Sequence, residues 1–151
     1  MQYLTLKRNE KNTMYIKNGC QHELTEEAKK KIYTIQIPIT GEQIENIIVT
    51  ALEGGIGYWA CLNNATPEWA DKPEGLPVSQ YATQLILEGK TVKFTDVEDE
   101  DVRWNLDLPR LLNGIRQNAE AESGSIDLDD IDAEIADCII QYALFGELVY
   151  G

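Results

Sequence analysis

The sequence reads as an α+β protein, about four helices forming a single layer on a small sheet of antiparallel strands and hairpins. Three observations predict this. Apolar residues recur at helical spacing in four segments, short alternating runs lie between them, and Gly or Pro marks most junctions. A chain of 151 residues suits a single domain, residues 1–151, which buries about two thirds of its unfolded surface without needing a disulfide or a metal.

Tyr3 to Leu6 and Thr13 to Ile16 alternate apolar and polar around Arg8-Asn9-Glu10-Lys11-Asn12, predicting a hairpin. Leu24 to Lys31 suits a turn or short helix. Ile32 to Ile39 sets Tyr33, Ile35, Ile37 and Ile39 on one face, which predicts a strand ending at a sheet edge or at Pro38, whose nitrogen cannot donate. Ile44, Ile47, Ile48 and Ala51 form one face of a helix, and Thr40 with Gln43 has the spacing of a capping box at its start. Gly54 and Gly55 are expected to stop that helix near Glu53 in the left-handed conformation, turning Tyr58 and Trp59 inward. These glycines follow a helix, whereas phosphate cradles precede one, so helix termination outweighs nucleotide binding.

Asn63 to Pro77, with three prolines, is a long loop carrying Trp69. That tryptophan is a candidate anchor for a partner, weighed against the heavier reading that it pins its own loop. Val78, Tyr81, Ala82 and Leu85 mark a helix stopped by Gly89. Thr91 to Val97 and Val102 to Leu106 predict a hairpin around Glu98-Asp99-Glu100-Asp101. Asp107 caps the next helix, with Pro109 in its first turn and Leu108, Leu111, Leu112, Ile115 and Ala119 as its stripe. The last helix turns Ile131, Ile135, Cys138, Ile139 and Tyr142 inward and Asp132, Glu134, Asp137 and Gln141 outward. Gly146 closes it, and residues 147–151 follow as a short strand or extended tail. A similar pattern at Ile47 to Gly54 and Ile139 to Gly146 places both helices in the core, their alanines allowing close approach.

Charge narrows function. The net charge is −13 and it is unevenly spread: residues 1–31 carry seven bases and four acids, and residues 117–151 carry nine acids and no base. Such a chain is a poor direct ligand for nucleic acid or an anionic membrane, and it suits a basic protein partner. No apolar run approaches a membrane span or a signal core, and three widely spaced cysteines fit reduced thiols, so the expected location is the cytoplasm.

Chemical motifs are weak. Cys20 and His22 make half of a metal site, and Cys61 and Cys138 would join it only through the fold. The acids from Asp127 to Glu134 fail the calcium-loop pattern: a loop starting at Asp127 puts Ile131 at the fifth position and Asp132 at the turn glycine, and one starting at Asp130 puts Ile135 at that glycine and Gln141 at the bidentate glutamate. Neither G-x-S-x-G nor H-E-x-x-H is present. No catalytic residue, cofactor or metal is therefore assigned, and the chain is read as non-enzymatic. The acidic turn Glu98, Asp99, Glu100 and Asp101 is the leading candidate for partner binding, a role weighed against a merely solubilising face.

The segments LEGGIGYWA at 52–60, YATQLILEGKTVKF at 81–94, LPRLLNGI at 108–115 and IDAEIADCIIQYALFGELVYG at 131–151 resemble an uncharacterised family of small acidic proteins. That family is carried by phages and other mobile elements of Gram-positive bacteria. The resemblance covers roughly the C-terminal two thirds and leaves out residues 1–40 and the Trp69 loop. It carries over no activity or site residue, but it implies a mobile-element accessory protein, a class rich in inhibitors of host defence. The reading that follows is an anti-defence inhibitor, of the anti-CRISPR type, acting on a basic host protein. The alternative is a structural or assembly protein working as a homodimer or larger homo-oligomer through an apolar surface such as Trp69. A small-molecule-binding protein or enzyme comes third.

Overall fold

The computed structural model describes residues 24–122 and 126–151, together with the backbone of 7–8 and 14–15. The chain divides into two units, residues 1–37 and 38–151, each described by itself. In the first, β1 (Lys7–Arg8) pairs antiparallel with β2 (Met14–Tyr15), Lys7 opposite Tyr15. The rest of the expected hairpin, Tyr3 to Leu6, Thr13 and Ile16, lies outside the described residues, as do Cys20 and His22. Helix α1 (Glu26–Lys30) is capped by Thr25, whose Oγ1 accepts from the Ala28 amide at 3.2 Å.

The strand expected over Ile32 to Ile39 does not form. Residues 31–40 carry no ladder, and Ile32 and Ile35 are 90% and 78% exposed. Alternation is necessary for a half-buried strand, but it does not supply the neighbouring strand that burial requires.

In the second unit, α2 (Gly41–Thr50) opens with the expected capping box. Thr40 Oγ1 accepts from the Gln43 amide at 3.2 Å, and Gln43 Oε1 accepts from the Thr40 amide at 3.0 Å. The helix does not stop at Glu53. It widens into a π turn over Ala51–Gly55, where the Ile56 amide reaches back to Ala51 O at 2.9 Å, and runs through both glycines. Neither glycine has a positive φ. Gly55 serves close approach instead, since a Cβ there would stand 2.9 Å from the carbonyl of Ala133.

After this turn come β3 (Ala60–Asn63), a 3-10 turn at Pro67–Trp69 and α3 (Val78–Leu87), which Gly89 ends at φ 81°. Strands β4 (Val92–Asp96) and β5 (Arg103–Leu106) form the expected hairpin. The sheet order is β3-β4-β5, antiparallel throughout, with Leu62 opposite Phe94 and Phe94 opposite Trp104. Val92, Phe94 and Leu106 on the inner face are buried against the helices, while Cys61, Arg103 and Asn105 on the outer face are exposed.

Helix α4 (Leu108–Ala121) is capped by Asp107, which accepts from the Arg110 amide at 2.9 Å. Its buried face is Leu111, Gly114, Ile115 and Asn118, and Leu112, expected inside, is 39% exposed. Helix α5 (Ala133–Phe145) packs against α4, α2, the π turn and β5, and Gly146 ends it at φ 75°. At the α4 crossing a Cβ on Gly114 would lie 2.5 Å from Ile139 O and 2.7 Å from Ala143 Cβ, so the two backbones meet there directly. Among the described residues, five helices and the three-stranded sheet make an α+β fold, and within the second unit α3 packs on β4 and α5 on β5.

Candidate functional site

The acidic turn joining β4 to β5 has a defined shape. Asp96, at the end of β4, accepts through Oδ1 from the amides of Glu98 at 2.7 Å and Asp99 at 3.2 Å. Asp99 Oδ1 in turn accepts from the Asp101 amide at 3.0 Å. A carboxylate reaching two or three residues ahead is how aspartate closes turns, and here it orients the chain that bears the other acids. Glu98, Asp99, Glu100 and Asp101 are all exposed, and the nearby Arg103 spends its Nε on Glu100 O at 3.2 Å. Four carboxylates on a turn held at its base form a preorganised anionic surface.

The base of the turn is tied to the core. The second oxygen of Asp96 accepts from Tyr150 Oη at 3.2 Å, and the Tyr150 ring stacks on Trp59 at 4.8 Å with only 6° between planes. Trp104 and Phe145 complete the cluster, each 5.6 Å from Trp59. Burial, the Asp96 hydrogen bond and the charges of Asp96 and Glu98 push the Tyr150 phenol above its usual pKa.

A second carboxylate, Asp137, gathers donors from three residues. Its Oδ2 accepts from Tyr58 Oη at 2.8 Å, and its Oδ1 from Trp59 Nε1 at 2.8 Å and Gln141 Nε2 at 3.0 Å. Trp59 is buried, as expected, but Tyr58, expected inward with it, is 55% exposed, with its hydroxyl bonded to Asp137. Desolvation, then the hydrogen bond and charge of Asp137, push the Tyr58 phenol up to about 12.

Asp137 and Gln141, expected on the solvent face, are partly and almost fully buried, Gln141 at 1%. Gln141 holds residues 147–151 as an extended tail: its Oε1 accepts from the Val149 and Tyr150 amides, both at 2.8 Å, and its Nε2 donates to Tyr150 O at 3.0 Å. Periodicity missed both residues because it sorts side chains by polarity. The usable signal was the nearby demand for partners, an indole N–H and tail amides that must be bonded when buried.

Trp69 is not a surface anchor. It is 8% exposed, its ring 5.3 Å from Tyr81, whose hydroxyl donates to Glu68 O at 3.2 Å, so the loop is pinned from within. Cys61 and Cys138 are free thiols, and burial followed by the charges of Asp137, Glu134 and Glu122 pushes Cys138 up, away from the reactive thiolate. Among the described residues no group of three or more His, Cys, Asp or Glu is placed to hold a metal ion. Nor is any helix there long and apolar enough to cross a membrane. No family model, curated protein or solved structure matches the chain.

Proposed function

We propose that the chain is a non-enzymatic accessory protein of a phage or other mobile element, binding a basic host protein through the acidic turn at Glu98, Asp99, Glu100 and Asp101. In this reading it inhibits a host defence system and resides in the cytoplasm. The observation that carries it is the turn: four exposed carboxylates on a backbone that Asp96 and Asp99 hold in one shape. Preorganisation matters because a flexible acidic loop loses affinity to ordering, whereas this one pays little on binding. The net charge of −13 adds long-range attraction for a cationic patch and speeds encounter.

The test is quantitative. The wild-type chain and a variant carrying Glu98→Gln, Asp99→Asn, Glu100→Gln and Asp101→Asn are used to capture a partner from a Gram-positive host, and affinity is measured by calorimetry across a salt series. The variant binds more weakly and with a shallower salt dependence; equal affinity and slope overturn the reading.

A second reading, a homo-oligomer, draws on a different observation. Ile32, Tyr33, Ile35 and Ile37 present large apolar side chains to solvent within six residues. Light scattering that gives a monomer at high concentration removes it.

A further inference from the structure

The run from Ile32 to Ile39 has the composition and alternation of a strand but pairs with none among the described residues. Lys31 and Thr40, which bound it, have extended backbones, and residues 31–40 carry no ladder. Ile32, Tyr33, Ile35 and Ile37 are between 64% and 90% exposed. An unpaired row of backbone amides and carbonyls flanked by β-branched and aromatic side chains is a template for another strand.

The run is complementary to itself when two copies lie antiparallel with Ile35 opposite Ile35. Tyr33 of each copy then faces Ile37 of the other, so the pairs on that face are aromatic with β-branched or β-branched with its own kind. Residues 33, 35 and 37 exchange the ladder hydrogen bonds in this register, and the residues between them turn their amides outward. Pro38 falls among the outward ones, where its missing amide hydrogen costs nothing. Charge selects the direction. Lys30 and Lys31 precede the run, and Glu42 follows it in the first turn of α2. Antiparallel pairing sets the lysines of one copy beside the glutamate of the other at both ends, whereas parallel pairing sets lysine against lysine.

We infer that residues 32–39 are the interface of a two-fold homodimer, pairing antiparallel with the same residues of a second copy about position 35. This deepens the homo-oligomer reading above and rests on it, and it is independent of whether the acidic turn docks on anything. Eight residues a side fall below the roughly 20–30 of a standard interface, so the dimer is weak and forms only as concentration rises.

Light scattering on the full chain over a concentration series tests it, with far-ultraviolet circular dichroism to check that variants at these exposed positions keep the fold. The wild type shows a monomer–dimer equilibrium. Ile35→Lys and Ile35→Glu, each alone, weaken dimerisation about tenfold or more by setting like charges opposite each other, and an equimolar mixture of the two restores it. Direction is read from a pair of double variants: Tyr33→Lys with Ile37→Glu dimerises more tightly than Tyr33→Lys with Ile37→Lys. Equal weakening in both overturns the antiparallel register. A dimer that Ile35→Lys and Ile35→Glu leave intact overturns strand pairing while the homo-oligomer reading stands, and a wild-type monomer at high concentration removes both. Species larger than a dimer overturn the closed two-fold.

Discussion

Gly55 and Gly114 set how closely α5 can be approached, and neither does so through its own backbone freedom. An added Cβ at 55 would meet Ala133 O at 2.9 Å, and at 114 it would meet Ile139 O at 2.5 Å; both obstacles are backbone atoms that cannot swing aside. Gly55→Ala and Gly114→Ala are each expected to destabilise by about 1–3 kcal/mol in urea unfolding, despite alanine's better helix propensity. Gly57→Ala is the control. Nothing lies within 4 Å of its Cβ, so it should leave stability unchanged or raise it by about 0.4–1 kcal/mol. Gly54 and Gly55 read in the sequence as a helix stop, which the continuing π turn overturns, and Gly114 drew no reading; close approach stayed hidden because it depends on a helix elsewhere in the chain.

Helix α5 shows where periodicity succeeds and where it fails. Its core residue Ile139 and its stop at Gly146 follow from the sequence, whereas Asp132, read as a residue of the outer face, is the N-cap and accepts from the Ile135 amide. Its inward polar residues do not, because Asp137 and Gln141 look like the solvent side of an amphipathic helix. Asp137→Ala would leave Trp59 Nε1 without its acceptor in the interior and free Tyr58 and Gln141 from theirs. A loss of about 2–4 kcal/mol is expected by chemical denaturation, with a smaller loss for Asp137→Asn, which keeps one accepting oxygen. The sheet was read with the same mixture of success: β4 and β5 were legible as a hairpin, whereas β3 was hidden in Ala-Cys-Leu-Asn, too short to show alternation. The run at Ile32 to Ile39 showed alternation and stayed unpaired.

Across the whole molecule, an excess of thirteen negative charges makes the folded state repel itself. Raising salt from about 10 mM to 150 mM, which shortens the screening length from about 30 Å to 8 Å, should raise the melting temperature. The variant with its four turn acids neutralised should show a smaller rise. Alkaline pH acts at another point. The Tyr58 phenol is pushed up to about 12 from 10 in the unfolded chain, so its contribution is intact below pH 10 and is lost as pH climbs toward 12. Tyrosinate absorbance is expected to show Tyr58 among the last phenols to ionise, and Tyr58→Phe should remove that late step. Charge and its clustering in the β4–β5 turn were legible in full from the sequence. The tie between that turn and the core was not, since it runs from the other oxygen of Asp96 to Tyr150, fifty-four residues away.

The bare crossing at Gly114 also offers a criterion for sorting other sequences. Any protein that shares this arrangement of α4 and α5 must keep a hydrogen atom at the position equivalent to 114. A chain similar elsewhere but bulky at that position has to splay the two helices, and belongs to a different packing class.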